Sequence, residues 1–290
     1  MRKLVVLAVL ISINLLSYNA FAESSVWKVS KGKNYFYLGG TIHMLTENDH
    51  PLPNEFSVAY KDASKIFFET DLVETQTAEF QSRLISAMTY SDDRTLGSEL
   101  SLKVYSELAD FMAMRKIPIE NFSKFLPWGV SLMITMLEYQ RLGMIPDYGV
   151  DAYFNNLALA DSKKIDSLET PKEQLKLLTS MGKLDPNLSI EYTLRDLERL
   201  PEFIKLMKTS WRSGDLEKLS TSPFVVQMKM EFPEMYNTMV TNRNNAWMKQ
   251  LPSLIDDNAR ELVLVGAMHL SGKDGLLYQL KTQGFKVEHL

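Results

Sequence analysis

The sequence predicts an α/β fold with α+β character: a central sheet built from N- and C-terminal βαβ units, with a large helical insertion between them. Three observations carry this. Apolar runs that stop at glycine recur near both ends of the chain, as Tyr35–Gly40 and Leu262–Gly266. Each is followed by a helical stretch and then by a second strand-like run. From about residue 77 to about residue 256, apolar residues recur mainly at helical spacing.

Taken in order, Met1-Arg2-Lys3, the apolar run Leu4 to Leu16 and Ala20-Phe21-Ala22 have the three parts of a secretory signal, cut after Ala22. A membrane anchor would need roughly 20 apolar residues, and this run is shorter. The expected mature domain is 23–290, exported, with no stable membrane insertion afterwards. Its first βαβ unit is Tyr35–Gly40, a helix after Pro51-Leu52-Pro53 running to Ser64, and the strand Ile66–Glu69. In the insertion, Leu102, Tyr105, Leu108, Ala109 and Met112 define one helical face. Trp128 to Leu137 is too short to span a bilayer and reads as a buried helix. Lys164–Leu168 is a lone strand leading into Thr170-Pro171-Lys172-Glu173, a capping box with Pro at the first helical position. Methionines cluster at Met228, Met230, Met235 and Met239, as adaptable core packing in preference to a methionine-rich metal or partner site. The chain closes on Leu262–Val265, a helix from Gly275 to Gln283, and a strand from Phe285 to Leu290. The unbroken apolar character of Leu262–Val265 implies a sheet covered on both faces.

Composition narrows the function. The 290 residues are 45% hydrophobic and 23% charged, a globular balance that excludes collagen-like and disordered classes. With 32 Lys+Arg against 36 Asp+Glu the chain is acidic, which argues against a nucleic-acid partner. It has no Cys, so disulfides, iron–sulfur clusters and thiol nucleophiles are excluded, and an exported chain of this kind suits a bacterial periplasm. The HExxH, GxSxG and P-loop patterns are absent, and the Ser-x-x-Lys matches have no active-site context.

Only four histidines occur, and two share one local frame: Gly40-Thr41-Ile42-His43 and Gly266-Ala267-Met268-His269. Each follows an apolar strand, where Gly lets the chain turn off sharply and the His project over the strand's carboxyl end. Ligands bind at that edge in open α/β sheets. Glu69 and Asp71 end the second strand, and alternation places them on one side. Two imidazoles and a carboxylate suit Mn, Fe, Co or Zn and leave positions for water and substrate. Asp151 at a glycine turn, Glu169 between strand and cap, and Arg243 with Asn244 are further candidates; singly, each reads as a cap or surface charge. His50 and His289 read as surface residues.

These residues resemble the TraB/GumN family, which includes the Tiki-type metalloproteases. The likeness rests on the paired Gly-x-x-His motifs, Pro51-Leu52-Pro53, Glu69 with Asp71, Gly149 with Asp151, Leu168-Glu169-Thr170 with Gln174, Arg243-Asn244 with Trp247, and Gly284 through Val287. It runs in order from about Trp27 to Leu290. It implies a core akin to erythromycin esterases and ChaN-like haem-uptake proteins. It also implies a hydrolase, a peptidase by analogy, with His43, His269 and Glu69 on a divalent metal (Mn, Co or Zn). Asp71, Asp151, Glu169 and Arg243 complete the expected site, acting on a peptide or small-molecule substrate. Asp151 or Glu169 would handle protons, and Arg243 would stabilise an oxyanion. Two rival readings are a non-catalytic periplasmic binder of haem, metal or peptide, and a metal-free esterase-like hydrolase using His43 and His269.

Overall fold

The computed structural model describes residues 24–256 and 259–290; the expected signal peptide, 1–22, lies outside them. Six strands form one mixed sheet in the order β4-β3-β5-β2-β1-β6: β1 (Val26–Lys31), β2 (Asn34–Thr41), β3 (Lys65–Thr70), β4 (Lys164–Glu169), β5 (Glu261–Gly266) and β6 (Lys286–His289). β2, β5, β3 and β4 run parallel, and β1 is antiparallel to both of its neighbours.

The helices, in chain order, begin with α1 (Asn54–Asp62), α2 (Leu72–Thr75), α3 (Ala78–Ala87), α4 (Leu96–Glu99), α5 (Leu102–Ala113), α6 (Pro127–Arg141) and α7 (Val150–Ala160). After β4 come α8 (Pro171–Thr179), α9 (Pro186–Glu198), α10 (Leu200–Ser213), α11 (Leu216–Ser220), α12 (Pro223–Glu231), α13 (Pro233–Tyr236) and α14 (Asn242–Trp247), with α15 (Leu276–Thr282) between β5 and β6.

The sheet differs from two simple βαβ units in two ways. β2 and β3 are joined through α1 but are not neighbours, because β5 from the far end of the chain fills the slot between them. β1 is an added strand, hairpinned to β2 through Gly32-Lys33, with Gly32 at φ +64° taking the left-handed turn position that favours glycine. In β5, Leu262, Val263, Leu264 and Val265 are all fully buried, so the sheet is covered on both faces there, as its composition requires.

Two large hydrophobic cores and a small cluster of Val225, Tyr236 and Val240 lie among the described residues. One surrounds the sheet and takes Phe56, Phe154, Trp211 and Trp247 from α1, α7, α10 and α14. The other, within the helices, holds Leu108, Met112, Ile134 and Ile190. The buried face of α5 is Val104, Leu108, Phe111 and Met112; the expected face is rotated, because Ser101 caps the helix and leaves Leu102 in the first turn, 92% exposed. Trp211 ties the helical layer to the sheet: its indole N–H donates to the Gly40 carbonyl at 2.7 Å and its carbonyl accepts from Ser25. Burying a side chain of this kind contributes on the order of 2–3 kcal/mol.

Candidate functional site

The parallel strands bring their carboxyl ends to one edge, and the candidate residues follow from there. β2 ends at Thr41 with His43 just beyond; Glu69 lies at the end of β3, Glu169 at the end of β4, and Gly266 at the end of β5 ahead of the turn that carries His269. Asp151 comes from the first turn of α7 and Arg243 from α14. Glu69, Asp151, Arg243 and His269 are all buried, so neither Asp151 nor Arg243 is the cap or surface charge its local sequence suggests.

Asp71 stands apart from this group. β3 stops at Thr70, so strand alternation does not extend to it; its exposed carboxylate caps α2 by accepting from the backbone N–H groups of Val73 and Glu74 at 2.9 Å. His50 is half-buried, not a free surface group: its Nε2 lies 2.9 Å from the Tyr148 carbonyl. His289 is exposed, as expected.

Each histidine is oriented through Nδ1. His43 Nδ1 donates to Asp151 Oδ2 at 2.8 Å, while Thr41 donates to the other carboxylate oxygen at 3.0 Å. Asp151 reaches His43 because the Val150 N–H is bonded to the Ile42 carbonyl and because residue 149 is glycine. A Cβ at Gly149 would lie 2.1 Å from the His43 carbonyl oxygen. The Asp151 charge holds His43 above its ordinary value, to about 9, against the opposing effect of burial. Its ring is also 61% exposed toward the cleft, where solvent screens part of that attraction.

His269 lies between Asn244, Trp247 and Arg243. The Asn244 amide nitrogen donates to the carbonyls of His269 and Asp274, so its oxygen faces His269 Nδ1 at 2.7 Å and must accept. The proton is therefore on Nδ1, and Nε2 presents a lone pair, toward which Arg243 Nη1 points at 3.1 Å. Burial pushes His269 down to about 4, so its ring is neutral.

Arg243 links the remaining acids. It donates to Glu69 Oε2 at 2.6 Å and, through a two-pronged contact, to Glu169 at 2.7 and 3.0 Å; its last N–H points to the Met239 carbonyl. All five of its N–H groups are thereby engaged. Glu69 Oε1 accepts from the Gly266 N–H at 2.6 Å. Burial opposes the Glu69 charge, but Arg243, His269, His43 and the Gly266 N–H outweigh it and hold the carboxyl far below its ordinary value. At Glu169 burial wins, and the carboxyl is raised despite Arg243.

The paired glycines have a different role from the sharp turn inferred from sequence. Neither Gly40 nor Gly266 is left-handed; Gly266 has φ −51°. What Gly266 provides is room: a Cβ there would lie 3.2 Å from Glu69 Oε1 and 3.6 Å from both His43 Nε2 and His269 Cδ2. The three expected metal donors thus surround one small backbone site. Among the described residues, however, no three His, Asp or Glu side chains are closed into a metal shell; His269 Nε2 and Glu69 Oε1 are 3.8 Å apart with Arg243 bonded to both residues. Asn244, singled out in the sequence with Arg243, is a positioning group for His269, and Thr41 is a positioning group for Asp151 that the sequence patterns do not single out, although it lies within the first Gly-x-x-His motif.

No solved structure matches the chain. It is similar to the uncharacterized protein YbaP of Escherichia coli strain K12, at 25% identity over 252 residues, covering 86% of this chain and 89% of the relative. The Shigella flexneri protein of the same name matches to the same extent. The family model for TraB/PrgY/gumN matches residues 25–289, which includes every residue of the site, and the chain belongs to that family.

Proposed function

We propose that this protein is an exported hydrolase of peptide or related acyl bonds, working with a divalent transition metal held by His43, His269 and Glu69. The observation that carries this is the pair of imidazoles tethered through Nδ1 by Asp151 and Asn244, with their Nε2 atoms left to face the Glu69 side of the cleft. Metal-bound histidines are held in this way, the second nitrogen fixing ring orientation. The donor set fits such an ion once Arg243 gives up its 3.1 Å contact to His269; its bonds to Glu69 and Glu169 need not change. When bound, the ion supplies Lewis acidity toward a carbonyl and acidifies a water.

The protein's own groups then have defined tasks. Asp151 fixes the His43 ring, and Asn244 fixes that of His269. Arg243 offers an N–H to a developing oxyanion only through the nitrogen freed from His269, since its other N–H groups are taken. Glu169, with a raised carboxyl at the end of β4, is the group suited to pass a proton to the leaving atom. Export to the periplasm, and kinship with the erythromycin-esterase and ChaN-like folds, belong to the same proposal.

The Arg243 contact itself favours a second reading, in which no metal enters and His43, backed by Asp151, is the general base. Metal content by mass spectrometry separates the two, after dialysis against Mn, Co and Zn in turn, on the mature chain and on His43→Ala and His269→Ala. Stoichiometric metal lost in both variants, with peptide hydrolysis abolished by chelation, is the expected result. Chelator-resistant hydrolysis rising toward about pH 9 supports the metal-free base instead. A tightly held ligand with no turnover on a peptide library refutes both.

A further inference from the structure

Behind the loop that carries His269, the helices enclose a cavity of about 290 Å³ that the site chemistry leaves unused. Thr135 and Tyr139 of α6, Thr193 of α9, Phe203 of α10, Phe224 and Met228 of α12, Met235 of α13, and Met268 line it. Met268 is the immediate neighbour of His269 within the single turn Ala267–His269, so one turn forms a wall of both the cavity and the site. Two of the clustered methionines, Met228 and Met235, face this space, giving it an adaptable wall.

We propose that this cavity receives the apolar part of the substrate, an alkyl chain or a large apolar side chain, while the scissile group lies at His43 and His269. The inference rests on the hydrolase reading above. Its volume is at the low end for a small-molecule site, which suits one branch of a ligand and not a whole one. The one carboxylate that lines it, Asp196, is paired with Arg195, so an ammonium group entering it would lose hydration without gaining a free partner; Arg199 gives one N–H to Gln227 and stacks on Phe224, which presents its apolar face to the space. One polar contact is on offer, because the half-buried Tyr139 hydroxyl has no hydrogen-bond partner among the described residues. Burial raises that hydroxyl's pKa, keeping it a neutral donor.

The test uses N-phenyl-1-naphthylamine, an uncharged apolar fluorophore, titrated into the mature chain and into His43→Ala. Saturable one-to-one binding is expected in both, weakened at least tenfold by Met235→Trp and, independently, by Thr193→Phe, each of which fills the cavity. Displacement by decanol but not by N-acetyl-leucinamide identifies an alkyl chain; the reverse identifies a peptide side chain. On p-nitrophenyl alkanoates, kcat/KM is expected to rise with chain length by up to about fourfold per methylene, the equivalent of about 0.8 kcal/mol for each buried CH₂. Met235→Trp should flatten that rise. No saturable binding, or binding untouched by both filling variants in their folded state, overturns the proposal. Hydrolysis that depends on His43 but not on chain length overturns the cavity assignment and leaves the hydrolase reading standing. Saturable binding with no hydrolysis of any substrate sinks the hydrolase reading and keeps the cavity as an apolar-ligand site.

Discussion

Replacing Arg243 by Met tests the electrostatic argument most directly. The side chains of Arg243, Glu69 and Glu169 are only 10%, 8% and 11% exposed, so removing the guanidinium leaves two buried carboxylates without a cation. Breaking a buried ion pair from one side costs about 3–5 kcal/mol, because the remaining charge is uncompensated. For a domain of this size that lowers Tm by roughly 6–20 °C, at about 2–4 °C per kcal/mol. The pH dependence fixes the cause. In the parent, Glu69 is depressed, so its contribution is fully present above its ordinary value of 4.5 and is lost as pH falls through the folded value. In Arg243→Met the largest opposing charge is gone, leaving only His269, His43 and the Gly266 N–H against burial at Glu69, so both carboxyls rise and the variant loses stability relative to the parent as pH rises through that range. The gap between parent and variant should therefore be widest near neutrality and close below 4.5. Thermal and urea unfolding from pH 3.5 to 8 measure it. A difference under about 1 kcal/mol at pH 7, or one that does not change with pH, would refute this account of the cluster.

Three other measurements probe separate links. Asp151→Asn should drop the His43 titration, followed by imidazole NMR, from about 9 toward its ordinary 6.5, since the largest raising charge is removed and burial then works against only the smaller, opposed effects of Glu69 and Arg243; an unchanged value means the Asp151 charge is not the cause. In the metal-free parent, the His43–Asp151 pair stabilises the fold fully below 6.5 and loses that contribution as pH rises through about 9. Metal uptake, read by calorimetry in two buffers, should release a proton from His43 and tighten with pH across the same interval; pH-independent affinity excludes His43 as a ligand. Gly266→Ala should keep the fold, because φ is negative, yet lower kcat/KM by about 10²-fold, since a Cβ 3.2 Å from Glu69 Oε1 shifts the groups around it; parental activity would show that this space is not needed.

What was legible in the sequence was local. The apolar runs of β2, β3 and β5, the lone strand β4 and the capping box at Thr170 fall where their residues place them, because each depends on neighbours a few positions away. The glycine–histidine frame marked both imidazoles for the same reason. Pairing across long separations was not legible. Nothing near Leu262 says that β5 enters between β2 and β3, and nothing near Asp151 says that its carboxylate meets a histidine 108 residues earlier. Asp71 shows the opposite failure: alternation is a property of a strand, and it ended one residue too soon. Val26–Lys31 was legible in principle, as a half-apolar run before a Gly-Lys turn, but its alternation is weak and its partner β6 is at the far end of the chain.

The long-range pairings also explain why a guanidinium belongs in a site expected to attract a cation. Without metal, the carboxylates of Glu69, Glu169 and Asp151 face Arg243 and a protonated His43, a formal excess of one negative charge. Exchanging the His43 proton for a divalent ion adds one positive charge and brings the cluster to neutrality. With Arg243 absent, the buried carboxylates of Glu69 and Glu169 would lose the cation they share, and burial would drive them toward taking up protons. With a further cation in place of Glu169, the same exchange would leave excess positive charge in a low-dielectric pocket. Arg243 is thus the counterion that keeps Glu69 ionised, and its 3.1 Å contact to His269 is the one that a metal would have to displace.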